Sequence, residues 1–223
     1  MSDCVSYRQE DKVATITVDD GKVNAYSPEL IASFNAAMDQ IDTKQISALI
    51  ITGRKGILTG GFDLKVMMKS QEARHDLASA GIKLFLRLLT FPVPIVVACN
   101  GHAVALGGIL LMIADYRIGV QGDYKIGLNE VEIGVPMPQW AVELCRTRLS
   151  PNYYVRALMN AELYLPVVAV QAGFLDEVVK EEDLAQAVHG KAKQFSKLDS
   201  SAYKETKKLA RKAEIEALER AVL

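Results

Sequence analysis

The sequence has almost no net charge and few cysteines. Its 26 basic residues nearly balance its 27 acidic ones, so no overall field would attract nucleic acid or an anionic membrane surface. The three cysteines, Cys4, Cys99 and Cys145, are odd in number and lack the spacing of metal ligands. No segment typical of a secretory signal precedes the first strand-like segment. We therefore expect a reduced, cytoplasmic protein whose partner is a small molecule or another subunit.

The segment 88–114 contains no Asp, Glu, Lys or Arg. Since roughly 20 apolar residues suffice for a membrane span, its length raises that possibility. Pro92, Pro94, Gly101 and Gly107 interrupt it, however, and a broken helix in lipid would leave backbone hydrogen-bonding groups unpaired. We interpret the segment as a buried strand, a turn that contains glycine, and a buried helix, and we expect no membrane association.

Strands and helices alternate along a chain of 223 residues, half of them hydrophobic. The patterns predict strands over residues 12–19, 46–52, 95–99 and 177–179, with short strands near 117–118 and 124–126. They predict helices from Pro28, with Ser27 as N-cap, and over residues 71–89, 107–114 and 200–223. Such alternation predicts an α/β fold with helices outside a sheet.

A single carboxylate, Glu130, follows the uncharged segment within the sequence Ile126-Gly127-Leu128-Asn129-Glu130. Apolar surroundings disfavour the charged form of a carboxyl group and raise its pKa, which suits a base that transfers protons. The alternative at this point is a glutamate at a strand end that faces solvent.

Four motifs follow one another in a family-specific order. Asn24-Ala25 precedes the first helix, and residues 60–64 (GGFDL) follow a strand. Residues 94–101 (PIVVACNG) are followed by glycines 107 and 108, and residues 126–130 (IGLNE) complete the set. In order and spacing the chain resembles the crotonase superfamily. Its GLNE form most resembles delta3-delta2-enoyl-CoA isomerase.

The resemblance implies a crotonase-like ββα spiral with a helical C-terminal trimerisation region. We expect a core over residues 1–195 and a short helical extension over 196–223. The expected partners are an acyl-CoA thioester and other copies of the chain, in a homotrimer or hexamer. No metal and no cofactor are expected, because coenzyme A is part of the substrate.

The resemblance also implies the roles of individual residues. Glu130 is the expected acid/base. An enolate oxygen needs donors already aimed at it, and the expected donors are the backbone N–H of Phe62 and that of Leu106, with Gly107 as the alternative. The expected substrate-binding residues are Val23, Asn24, Ala25, Tyr26, Gly60, Gly61, Leu64 and Trp140.

One departure from the family pattern favours one reaction over another. Hydration in the crotonase manner uses two glutamates, and the position of the first is occupied here by Ile109, which cannot polarise water. The remaining carboxylate, Glu130, can move a proton between two carbons of one substrate. We therefore predict a double-bond isomerase. A hydratase, another crotonase-type lyase and a non-catalytic acyl-CoA binder stay open.

Other polar residues have simpler interpretations. We expect His102 to satisfy turn backbone, Asp63 to cap the helix that it precedes, and Asp115 to pair with a basic group. The basic residues of the last helix are expected on a solvated face, with contact to coenzyme A phosphates as the alternative. These residues are Lys204, Lys207, Lys208, Arg211 and Lys212.

Overall fold

The computed structural model describes residues 4–222, which form two sheets and a surrounding set of helices. The strands are β1 (Val5–Glu10), β2 (Val13–Val18), β3 (Ala48–Gly53), β4 (Gly56–Thr59), β5 (Ile95–Cys99), β6 (Gly101–Val104), β7 (Tyr116–Val120), β8 (Ile126–Gly127), β9 (Leu163–Tyr164) and β10 (Glu177–Val179). The helices are α1 (Pro28–Asp39), α2 (Leu64–Met67), α3 (Gln71–Leu89), α4 (Leu106–Ile113), α5 (Gln139–Arg148), α6 (Pro151–Leu158), α7 (Pro166–Ala172), α8 (Leu184–Phe195), α9 (Ser200–Ala210) and α10 (Lys212–Val222).

The larger sheet has the strand order β1-β2-β3-β5-β7-β10. β1 runs antiparallel to β2, and the other pairs are parallel. Side chains alternate between the two faces of a strand, so Ile50 and Val96 pack with Val188 of α8, whereas Leu49 and Val97 join the main core on the opposite face. Both faces of the central strands are therefore covered, as expected for a parallel sheet.

A second, smaller sheet has the strand order β4-β6-β8-β9. Its parallel pairs are β4 with β6 and β6 with β8. β6 begins where β5 ends, because the chain changes sheet at Asn100 and Gly101. A Cβ atom on Gly101 would lie 1.9 Å from the carbonyl carbon of Gly56, so only glycine permits this crossing.

Most of the predicted elements are confirmed. Strands 95–99 and 177–179 and helix 71–89 have the predicted bounds, and Ser27 Oγ caps α1 by accepting a hydrogen bond from Leu30 N–H at 3.2 Å. The segment 88–114 is buried as predicted, in β5, β6 and α4. Within residues 4–222, no helix combines the length and the apolar character that a membrane span requires.

Several expectations about local structure are wrong. The turn expected after strand 95–99 is itself a strand, β6, and three further strands, β1, β4 and β9, were not predicted. Tyr124 lies outside any strand. The single helix expected over 200–223 is two helices separated at Arg211; Leu223 lies outside the described residues. α10 packs on α3 and α5, and the boundary at residue 195 stays a prediction.

Substituting Gly101 by alanine should destabilise the fold, because the added methyl group meets backbone at Gly56. Overpacking of this kind costs about 1–3 kcal/mol. The matched control is Gly190→Ala in α8, where a Cβ atom has open space within 4 Å and alanine should stabilise the helix by about 0.5–1 kcal/mol. Urea unfolding of both variants measures the difference, and equal midpoints would contradict the close approach at Gly101.

Candidate active site

A tight turn at Gly61-Phe62 presents one backbone donor. Tyr26 N–H donates to Gly61 C=O at 2.9 Å, and Asp63 N–H donates to Tyr26 C=O at 3.1 Å, which fixes both sides of Phe62. Gly61 N–H donates to Thr59 Oγ1 at 3.1 Å, and Gly61 has a φ of 107° that favours glycine. Within residues 4–222 no protein group accepts the N–H of Phe62.

The N-terminus of α4 presents the second set of donors. Ala105, the N-cap, has a φ of 54° and provides no side-chain hydrogen bond. Its own N–H donates to Gly127 C=O at 3.0 Å, and the first bond of the helix runs from Ile109 N–H to Ala105 C=O at 3.1 Å. In the described part of the chain, the N–H groups of Leu106 and Gly107 have no acceptor. The helix dipole adds positive potential at this end.

The two donor sites are adjacent in space. A Cβ atom built on Gly61 would lie 3.4 Å from Ala105 Cβ and 4.0 Å from Leu106 N. The N–H of Phe62 follows Gly61 directly, so two unpaired donors from different turns are close together. Such a pair can bind an oxygen atom that carries developing negative charge. This proximity supports Leu106 as the second donor, and the choice over Gly107 stays a prediction.

β8 ends at Gly127, and a turn begins three residues later at Glu130. Glu130 C=O accepts a hydrogen bond from Val135 N–H at 2.8 Å, which closes this turn. The side-chain atom Oε2 is buried and has no hydrogen-bond partner in residues 4–222. Burial raises the pKa of Glu130, and the backbone N–H groups of Glu130 and Asn129 only partly oppose this shift. Glu130 is half-buried, and one of its carboxyl oxygens is removed from solvent, contrary to the alternative of a glutamate that faces solvent.

The segment around β8 packs beside the helix that provides the second set of donors. β8 pairs with β6, which leads directly into α4. A Cβ atom on Gly108 would lie 2.7 Å from Gly127 C=O oxygen and 2.9 Å from Leu128 Cδ2. This close packing sets the segment that ends at Glu130 against the first turn of α4.

The predicted substrate-binding residues divide into two groups. Val23, Ala25, Gly60 and Leu64 line one cleft of about 420 Å³, together with Phe62. The others do not line this cleft: Asn24, Tyr26, Gly61 and Trp140.

The side chains of Asn24 and Tyr26 have structural roles. Asn24 is fully buried, and its Nδ2 donates to Val18 C=O at 2.9 Å and to Leu58 C=O at 3.1 Å. The Tyr26 ring is buried against Phe34. Only the backbone of these two residues can face a ligand. Trp140 packs on Phe85 of α3, with ring centroids 5.9 Å apart.

Sequence reasoning missed two residues that shape the site. Gly81 in α3 makes room for the ring of Phe62, because a Cβ atom there would lie 2.4 Å from Phe62 Cζ. Cys145 in α5 is buried near Glu130. Burial raises the pKa of its thiol to about 12, and the negative charge of Glu130 adds to this shift. Both residues lie on helices far from the motifs in sequence, and no local pattern marks them.

The simpler interpretations of three polar residues are confirmed. His102 Nδ1 accepts a hydrogen bond from Lys125 N–H at 2.9 Å. Asp63 caps α2 by accepting a hydrogen bond from its first turn at 2.8 Å. Asp115 pairs with Lys207 at 2.8 Å.

The expectation of a solvated basic face is wrong for Lys207 and Arg211. Both are buried, Lys207 against Asp115 and Arg211 against Glu214, with ion-pair distances of 2.8 and 2.9 Å. Neither side chain is free to reach a phosphate group of a ligand.

In residues 4–222, no group of three His, Cys, Asp or Glu side chains lies together as a metal site would require.

The sequence profile of the enoyl-CoA hydratase/isomerase family matches residues 8–222. The chain therefore belongs to this family, the crotonase superfamily that the motifs indicated. It is 31% identical to mouse enoyl-CoA delta isomerase 1, mitochondrial, over 185 residues, which are 81% of this chain and 63% of that protein. It is also 31% identical to a probable enoyl-CoA hydratase of Bacillus subtilis over 134 residues, 59% of this chain and 52% of that one. The chain thus spans less than two thirds of both relatives.

Solved structures match the whole fold. An enoyl-CoA hydratase/isomerase family protein from Pseudomonas syringae superposes with a TM-score of 0.95 at 49% identity, covering 99% of this chain and 96% of that one. Human mitochondrial delta3-delta2-enoyl-CoA isomerase gives a TM-score of 0.92 at 27% identity, covering 98% and 90%. The predicted crotonase-like α/β fold is confirmed.

Replacing Glu130 by glutamine should stabilise the folded protein at neutral pH. Because burial raises the pKa of Glu130, the folded state binds this proton more tightly than the unfolded state does. Its ionisation therefore costs stability as the pH rises above the ordinary value of 4.5. We expect the advantage of Glu130→Gln to shrink as the pH falls toward that value and to be absent below it.

Chemical denaturation at neutral and acidic pH measures this difference. Glu132→Gln is the matched control, because Glu132 is exposed on the same turn, and its unfolding should change little. A wild-type protein more stable than Glu130→Gln at neutral pH would contradict the desolvated carboxyl group.

Proposed function

We propose that this protein is an enoyl-CoA isomerase that converts a 3-enoyl-CoA to a 2-enoyl-CoA. The observation that carries the proposal is a carboxylate with one buried, unpaired oxygen, Glu130, on a segment packed against the first turn of α4, whose first N–H groups have no acceptor in residues 4–222. The position at which a hydratase of this superfamily would have its other glutamate holds Ile109, which is buried in α4. One proton-transfer group suits an isomerisation, in which the same proton leaves and returns.

The proposed reaction has two proton transfers. The thioester oxygen binds between the N–H groups of Phe62 and Leu106, and ionised Glu130 removes a proton from C2. The electron pair moves through the carbonyl and the 3,4 double bond, and the resulting dienolate carries its charge on the oxygen. Protonated Glu130 then returns the proton to C4, which leaves a double bond between C2 and C3. Losing one such donor typically costs about 3–4 kcal/mol of transition-state stabilisation.

The raised pKa of Glu130 supports this role. A base acts best when its pKa lies near the working pH, since it must both accept and return the proton. Burial moves the pKa of Glu130 in that direction. The first transfer forms a neutral carboxylic acid, which the apolar surroundings favour.

The cleft beside Phe62 is the proposed coenzyme A site. Its lining includes the predicted residues Val23 and Leu64, and Lys22 and Lys65 stand there beside the acidic Asp20, Glu29 and Asp63; the two ammonium groups are the groups that suit the phosphates of coenzyme A. The thioester at Phe62 would then have its coenzyme A portion along this cleft. We propose that no separate cofactor or metal takes part.

The acyl group has a separate apolar groove available. A cavity of about 630 Å³ lies beside the turn that starts at Glu130, and residues lining it include Val131, Val135 and Met137.

We propose that the chain also forms a homotrimer or hexamer, as the resemblance implies, and light scattering of the purified protein measures that state. The cytoplasmic location stays a prediction.

A hydratase is the second candidate function, because the relative from Bacillus subtilis carries that name. Ile109 argues against it, since this side chain offers a water molecule no carboxylate at the position of the other glutamate. A non-catalytic acyl-CoA binder is the third candidate. It would retain the cleft and bind coenzyme A esters without converting them.

The direct test compares wild type, Glu130→Gln and Glu132→Gln on 3-enoyl-CoA esters of several chain lengths. Acid/base groups contribute about 10²- to 10⁴-fold to rate, so we expect Glu130→Gln to lose at least about a hundredfold in kcat. Glu132→Gln should keep the wild-type rate, because its side chain is exposed. A Glu130→Gln variant with the wild-type rate would remove Glu130 from the mechanism.

The same proteins should be tested for hydration with crotonyl-CoA, whose ultraviolet absorbance falls when water adds to the double bond. We expect little or no loss of absorbance with wild type. Rapid loss would favour the hydratase. Tight binding of both esters with no conversion of either would favour the non-catalytic binder.

A further inference from the structure

The C-terminal end of α4 is surrounded by arginine side chains from three different parts of the chain. Arg117, in β7, donates from Nη1 to Leu111 C=O at 3.4 Å. Arg148, at the end of α5, donates from Nε to Met112 C=O at 3.3 Å and from Nη2 to Ala114 C=O. Side-chain donors thus hold carbonyl groups that have no partner within the helix.

The C-terminal helical segment supplies the third arginine. Arg211 lies between α9 and α10, and its Nη2 donates to Met112 C=O at 2.9 Å. In α9, Lys207 donates to Asp115 Oδ2 at 2.8 Å, and the same oxygen accepts the N–H of Ile95 at 2.8 Å. The segment after residue 195 is therefore bonded to the end of α4 and to Asp115, two residues beyond it.

Charges at this end of α4 are nearly but not fully balanced. Four basic side chains, Arg117, Arg148, Lys207 and Arg211, face the three acidic side chains Asp115, Asp176 and Glu214. The excess is one positive charge. Within residues 4–222, the other three basic side chains each form an ion pair, whereas Arg148 forms none and donates to carbonyl oxygens. A buried cation is favourable beside the negative end of a helix dipole.

The opposite end of the same helix cannot be held in this way. α4 has eight residues, its N-cap Ala105 gives no side-chain bond, and the N–H groups of Leu106 and Gly107 must stay unpaired if they are to bind an oxyanion. Because a side chain that capped this end would occupy the donors, the position of the helix has to be fixed elsewhere. The three arginines do this at the other end.

We propose that Arg148 and Arg211 are positioning residues for the reaction: by holding the last carbonyl groups of α4, they fix where its N-terminal N–H groups point. The C-terminal helical segment thereby contributes to catalysis without contacting the substrate. This inference rests on the proposed function, because it assumes that the N–H of Leu106 or Gly107 binds the thioester oxygen. A small displacement of such donors affects the charged transition state more than the neutral substrate.

The test uses Arg148, since its removal leaves no carboxylate without a partner. Arg148→Met deletes all of its hydrogen bonds, and Arg148→Lys keeps the charge but replaces the planar fork by one ammonium group that cannot reproduce the guanidinium geometry. Arg156→Met is the matched control: Arg156 lies in α6 and pairs with Glu162 at the surface. Urea unfolding first establishes that each variant is folded.

Two measurements distinguish positioning from a merely structural role. The first is kcat and KM with a 3-enoyl-CoA; misplaced catalytic groups can cost about a hundredfold in rate, and we expect Arg148→Met to lose about tenfold to a hundredfold in kcat with little change in KM. The second is the ultraviolet absorbance of the enolate of a bound 3-ketoacyl-CoA. Its intensity reports stabilisation of the oxyanion without any turnover, and it should fall in Arg148→Met.

Each outcome supports or overturns the inference. A folded Arg148→Met with wild-type kcat and wild-type enolate absorbance overturns it. If Arg148→Met does not fold, Arg148→Lys decides: reduced kcat and absorbance support the inference, and wild-type values overturn it. Arg156→Met should match wild type in both. If wild type itself gives the enolate absorbance but converts no 3-enoyl-CoA, the proposed function fails, while the absorbance of the variants still tests the positioning role.

Discussion

The candidate site depends on backbone N–H groups that the fold leaves unpaired. A buried donor without an acceptor is costly, so the protein must hold Phe62 and the first turn of α4 in place by other means. Around Phe62 these means are the hydrogen bonds of its two neighbours with Tyr26. At α4 they are the bond from Ala105 to Gly127 and the close packing of Gly108 on that residue. Both arrangements keep the donors available for a ligand oxygen.

The same packing explains why a distant carboxylate belongs to this site. β8 is only two residues long, yet it pairs with β6 on one side and β9 on the other. Glu130 follows it in a turn closed by the bond from Val135, and Cys145 of α5 adds apolar surroundings. The loop geometry that brings Glu130 near α4 therefore also buries its carboxylate, and this burial destabilises the charged form. The cost to stability and the proton-transfer role have one physical origin.

The sequence predicted the large elements because their patterns are long. The helix over 71–89 and the strand 95–99 have enough residues to show a period. Of the strands that were not predicted, β4, β6 and β9 have four residues or fewer, and β1 (VSYRQE) is mostly polar. Glu130 stood out through the uncharged segment before it, and Phe62 and Leu106 through the family resemblance. Gly81, Cys145 and Arg148 act on the site through tertiary contacts between segments far apart in sequence, so no local signal could identify them. Lys207 and Arg211 fit a solvated helical face by pattern, and only docking of α9 and α10 buries them.

The measurement that tests the central claim most directly follows one hydrogen atom. A 3-enoyl-CoA with deuterium at C2 is converted by the wild-type protein, and the position of deuterium in the early product is read by NMR and mass spectrometry. If Glu130 alone carries the proton, part of the deuterium removed from C2 should be found at C4 of the 2-enoyl-CoA. A product whose C4 receives hydrogen only from solvent, even at the earliest times, or a product that contains added water, would contradict a single-carboxylate shuttle.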